Sequence, residues 1–198
     1  MTALDADAWA DALTMYERRY SIVTVGPRTH QDWSQDALAL LRKEVSDPRS
    51  WRTVEFWSEA DEEWRADWLA PFEEPGPDWP AGLWTVPRTS VVRLLVMLST
   101  NWLDVPKERK WNDFEARRPE LERKARVILS RFPEGTSFYT NSGYPGSHGV
   151  RGGDPDADAP DFYEATTGCT PFSQHDWDLG LVAVSETEVG IFWSFDAT

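Results

Sequence analysis

The sequence predicts an α+β fold in which helices pack on a mainly antiparallel sheet. Two observations carry this. Apolar residues recur at helical spacing near the N-terminus and again over residues 121–132. The C-terminus holds two β-rich runs, LGLVAVS (179–185) and VGIFWSF (189–195), split by the turn ETE; this is the pattern of a C-terminal β-hairpin.

The elements follow in order. Leu4, Trp9, Leu13, Tyr16 and Tyr20 form the apolar face of a helix over 4–20, acidic in its first turn. YSIVTV (20–25) is β-branched and ends at Gly26-Pro27, a strand. Asp32 and Gln35 have capping-box spacing before a helix over 33–45. SWRTVEFWS (50–58) is rich in strand formers. Trp64 and Trp68, four apart, share a face of the next helical stretch. The prolines of 71–82 mark a loop, and LWTV a short strand. Length favours a helix for SVVRLLVMLSTNWL (90–103), and a helix is also expected over 107–118. Pro119 suits a first helical position, followed by a stripe of Leu121, Ala125, Ile128, Leu129 and Phe132. TSFYT (136–140) reads as a strand.

At 198 residues the chain fits a single domain, with a long Gly/Asp-rich loop at about 141–165. It has 12 tryptophans and one cysteine, Cys169, so no internal disulfide forms. The acidic N-terminus lacks the basic and apolar regions of a signal peptide, and no apolar run is long enough to span a bilayer. The expectation is a cytoplasmic protein that meets no membrane.

Charge is unevenly placed along the chain. The net charge is −14; residues 81–133 hold 6 acids against 11 bases, and residues 134–198 hold 11 acids against one base, Arg151. The flanking acidic segments repel nucleic acid. The bases at 106–131 alternate with glutamates, as on a solvated helix face.

Asp154, Asp156 and Asp158 alternate like the start of a calcium loop. Ala159 and Ala165 stand where that loop requires glycine and glutamate, and Pro155 and Pro160 stiffen the curl. The glycines of SGYPGSHGVRGG lack a phosphate-binding lysine, and five acids follow them. Cys169, His175 and Asp176 match no nucleophile motif, and Cys169, His148 and His175 lack metal-ligand spacing. No catalytic residue, metal ligand or cofactor is assigned. Most tryptophans lie in patterned elements, Trp102 among them, where burial is the default. Trp79 and Trp177 lie among prolines and acids and are the candidate exposed anchors.

A concentrated field of one sign steers association with an opposite surface. The expected binding residues are Asp154, Asp156, Asp158, Asp161, Glu164, Trp177 and Asp178, and the expected partner is a basic protein. In size, acidity, Trp-rich α+β make-up and lack of a catalytic motif the chain resembles bacterial toxin-immunity proteins, the inhibitors encoded beside toxins. The resemblance lies in composition, so it transfers no residue roles. It implies a cognate toxin domain, such as a nuclease, blocked by occlusion. Sixteen arginines against four lysines fit a high-GC bacterial genome. The alternative is a carboxylate- or metal-dependent hydrolase built on the Asp-rich loop.

Overall fold

The computed structural model describes residues 4–17, 20–55, 72, 76, 78–142, 161–164, 169–173, 175 and 177–196. Within them five helices lie against a five-stranded antiparallel sheet, an α+β architecture. The helices are α1 (Ala6–Leu13), α2 (Trp33–Leu41), α3 (Arg88–Leu98), α4 (Val105–Trp111) and α5 (Phe114–Ser130). The strands are β1 (Tyr20–Pro27), β2 (Trp84–Thr85), β3 (Ser137–Thr140), β4 (Trp177–Val184) and β5 (Glu188–Asp196), in the order β1-β5-β4-β3-β2.

Local chemistry sets the helix ends. The Asp5 carboxylate accepts from the Ala8 N–H at 2.8 Å and opens α1. α1 stops at Leu13, short of the expected reach, and Thr14–Tyr16 tighten into a 3₁₀ turn. Asp32 caps α2 by accepting from the N–H and hydroxyl of Ser34, not through the expected reciprocal box with Gln35. α2 ends before Lys43, whose φ of 56° is left-handed. α3 stops at Leu98, where the Ser99 and Thr100 hydroxyls donate back to Val96 O and Met97 O.

One helix was expected over 107–118; two are found, broken at Asp113 with φ 43°. Pro119 therefore lies inside α5, not at its start. As the sixth residue of the helix it leaves the Glu115 carbonyl without its usual backbone N–H donor four residues on. Of the expected strand over 50–58, Val54 forms an isolated antiparallel bridge to Val23, and 56–58 lie outside the described residues. The helix expected around Trp64 and Trp68 also lies outside them.

β4 and β5 form the expected hairpin, with Val184 opposite Val189 and Ser185 N donating to Glu188 O. Their period of two divides two cores. Leu179, Leu181, Ala183 and Phe192 face Trp9, Leu13, Leu94, Leu98 and Ile128 of the helix layer. Val182, Val184, Ile191, Trp193 and Phe195 face the opposite side, covered by Ala37 and Leu40 of α2 and by Phe72. Among the described residues no helix is long and apolar enough to cross a membrane.

Candidate functional site

The Gly/Asp-rich stretch leaves the sheet through a closed neck. Ser142 and Cys169 form an isolated antiparallel bridge. Asn141 holds the neck to the sheet. Its amide donates to Thr170 O, Asp178 O and Asp178 Oδ1, while its Oδ1 accepts from Gly180 N at 2.9 Å. Asp154, Asp156 and Asp158 lie outside the described residues.

The return limb of the loop, residues 161–164, lands on the helix layer. Phe162 and Tyr163 are buried. The Tyr163 ring sits between the guanidinium groups of Arg93 and Arg118, each 5.4 Å from its centroid. Its hydroxyl donates to Glu122 Oε1 at 3.2 Å, and Arg109 donates to its carbonyl. Burial first, then the Glu122 charge and hydrogen bond, push the Tyr163 phenol above its ordinary range. Asp161 folds the turn by accepting from Tyr163 N and pairs with Arg93 at 2.5 Å. Glu164 is exposed. The basic middle of the chain and its acidic C-terminal third are therefore in contact here.

Asp178 corrects one expectation. It is fully buried, and its carboxylate accepts from Phe172 N, Ser173 N, Ser173 Oγ, Asn141 Nδ2 and Trp193 Nε1. A carboxylate so enclosed is a structural clamp, not a surface for a partner. The reason is its register: Asp178 is the second residue of β4 and its side chain turns under the chain at 172–173. Trp177 is half-buried against the main core, and Trp79 packs edge-on against Trp33 and Phe172. Among the described residues the exposed tryptophans are Trp102 and Trp111.

The other buried acids are also engaged. Arg131, with no exposed side-chain area, meets Asp47 through two nitrogens at 2.6 and 2.9 Å and Glu188 through two at 2.9 and 3.1 Å. Trp9 and Trp51 cover its faces at 4.8 and 5.2 Å, and Arg49 adds a second pair to Glu188. Glu108 is fully buried and accepts from Asn101 N, Asn112 Nδ2 and Arg117 Nη1. Asp36 accepts from the Thr29 and His30 N–H groups, the Thr29 hydroxyl and His30 Nδ1. Desolvation works against the charged form of Asp36, but these bonds outweigh it and hold the carboxyl below its ordinary range.

Cys169 is half-buried, and burial raises its thiol above the ordinary range. His175 tilts against Phe195. Among the described residues no hydrogen bond joins Cys169 to His175, and no group of three His, Cys, Asp or Glu could hold a metal ion. A cavity of about 430 Å³ lies between β1, the end of α2 and the chain at 43–55. Its ionic lining is already paired: Lys43 with Glu55 at 2.8 Å, and Asp47 with Arg131.

Sequence reasoning missed the Arg131 cluster and the exposure of Trp111. The first joins residues far apart in the chain and has no local signal. The second was legible: KERKWND is the most hydrophilic surrounding any tryptophan has here. No protein-family model matches the chain, and no curated protein or solved structure does either.

Proposed function

We propose that the chain is an acidic protein-binding inhibitor of the toxin-immunity kind, working in the cytoplasm by covering a basic surface of a cognate toxin domain. One observation supports this most. The arginines of the described residues are largely matched to the molecule's own carboxylates or carbonyls, as at Arg52–Glu17, Arg93–Asp161, Arg123–Asp11 and Arg131–Asp47. The net charge of −14 is then an excess of acids that pairing with the chain's own bases cannot cancel. A field of that sign accelerates encounter with a positive partner and is screened by salt.

Buried Asp178 and Arg-paired Asp161 narrow the expected surface to Glu164 and to Asp154, Asp156 and Asp158 beyond the described limb. The engagement of Asp36, Asp47, Glu108, Asp178 and Glu188 in internal hydrogen bonds favours binding over a hydrolase built on a buried acid.

The test is co-purification with the product of the adjacent gene, followed by titration at low and high salt. The reading expects a complex whose association slows with salt. It also expects Asp154, Asp156 and Asp158 changed together to lysine to weaken binding sharply, with each change costing about 0.5 kcal/mol of stability or less. Full affinity in that variant removes the loop from the interface.

A further inference from the structure

Two of the three exposed large hydrophobic side chains in the described residues flank one short helix. Trp111 ends α4 and is 64% exposed; Trp102, 38% exposed, precedes its start. Each has a chain neighbour bonded to the same buried group. The Glu108 carboxylate accepts from Asn101 N, beside Trp102, and from Asn112 Nδ2, beside Trp111, and Arg117 neutralises it. Val105 and Phe114, both fully buried, fix the two ends of the helix. Exposed indoles on a backbone tied down this closely are the residue type that anchors interfaces.

The charge on this face is also distinctive. Lys107 and Lys110 are exposed, and among the described residues their ammonium groups meet no carboxylate or carbonyl. Lys110 lies 4.6 Å from the centre of the Trp111 ring. The neighbouring acids are mostly committed: Asp104 caps α4 at Lys107 N, Glu108 binds Arg117, and Glu115 binds Arg109 and Arg118, leaving Asp113 exposed at the far end. The face thus offers two exposed indoles and two cations that meet no carboxylate or carbonyl, on a molecule where most other described cations are matched internally.

We propose that the α4 face of Trp102, Lys107, Lys110 and Trp111 docks a short acidic segment of a partner protein, carrying an apolar or aromatic residue between carboxylates. The occupant is argued from charge. The two ammonium groups call for anions, while the net charge of −14 repels polyanions in proportion to the charge they carry. A nucleic-acid strand or an anionic bilayer meets that repulsion over many charges. A segment with two or three carboxylates meets it least, and it matches both the cations and the indoles. This proposal uses none of the residues assigned to the inhibitor reading and does not depend on it.

The test uses a displayed library of short random peptides, selected on the intact protein and on the W102S/W111S/K107E/K110E variant, after checking that both melt alike. If the four changes prevent folding, the K107E/K110E pair replaces them, since both lysines are exposed. The expected result is enrichment of peptides with acids around an apolar or aromatic residue. A synthetic copy should bind the variant at least about tenfold more weakly and lose affinity with salt. No enrichment, enrichment without acids, or equal recovery on the variant overturns the proposal. So does variant-sensitive binding of oligothymidylate or phosphatidylserine vesicles in place of the peptides, which assigns the face to nucleic acid or lipid.

Discussion

Gly180 lies directly beneath the indole of Trp193: a Cβ built at residue 180 would stand 1.9 Å from Trp193 Cε3. The two are register partners across β4 and β5. Trp193 is held in place by its N–H bond to Asp178 at 2.9 Å and by edge contacts with Phe72 and Phe172. Withdrawing would break that bond and disturb both ring contacts. Gly180→Ala should therefore destabilise the protein by about 3 kcal/mol through overpacking. Gly76→Ala, which meets nothing within 4 Å, should stay within about 0.5 kcal/mol. Urea melts of the two variants check this.

Arg131 balances Asp47 and Glu188 in the interior. Arg131→Met leaves two carboxylates buried without their shared cation, and a loss of about 3–5 kcal/mol is expected. Arg131→Lys should recover little. One ammonium cannot present the four nitrogen contacts to two carboxylates, nor lie flat between Trp9 and Trp51. Thermal melts of the two variants make the comparison.

Asp178→Asn separates a structural acid from surface acids. An asparagine side chain turns a donor toward Phe172 N, Ser173 N or Trp193 Nε1, each already a donor. The loss should reach about 3 kcal/mol or more. Glu164→Gln, at an exposed position, should leave stability within about 0.5 kcal/mol. A denaturant series shows whether the two acids differ this way.

The Asp36 carboxyl has a lowered folded-state pKa, so its contribution is fully present above the unfolded value, near 4. It is lost as pH falls through the folded value. Asp36→Asn should be less stable than the parent at neutral pH, and the gap should close as pH drops below about 4. Melting the two proteins across that range tests the sign as well as the size. A gap that widens on acidification contradicts the assignment.

Cys169 should be a slow thiol. Burial raises its pKa, the Asp178 backbone N–H offsets part of that, and the Asp178 charge adds to the rise. Since the thiolate is the reactive form, a disulfide reagent at mild alkaline pH should label the folded protein far more slowly than the urea-unfolded chain. Equal rates would mean the neck at Ser142 and Cys169 opens freely.

Where a signal is local, the sequence is readable. The hairpin, β1 and α2 follow from β-branched runs, a cap and a turn, because neighbours in the chain decide them. The break at Asp113 is not readable, since a left-handed aspartate between two helices looks like any helical aspartate in KWNDFEAR. The candidate surface divides the same way. Asp178 and Asp161 read as loop acids, but one is enclosed by five donors and the other is taken by Arg93, and both partnerships depend on tertiary contact. Charge segregation along the chain does not carry over unchanged into space, because the fold lays the basic helices against the return limb of the acidic loop.

The neck at Asn141 carries a consequence for how such a chain can diversify. With Asn141 joined to Thr170 and Ser142 to Cys169, the ends of the intervening stretch are fixed by the sheet itself. Closing a longer or shorter excursion across fixed ends changes free energy only slowly with length. Apart from the buried limb at Phe162 and Tyr163, changes of length or sequence between those ends need not shift the strand pairing beneath, so a new specificity is within reach without a new scaffold.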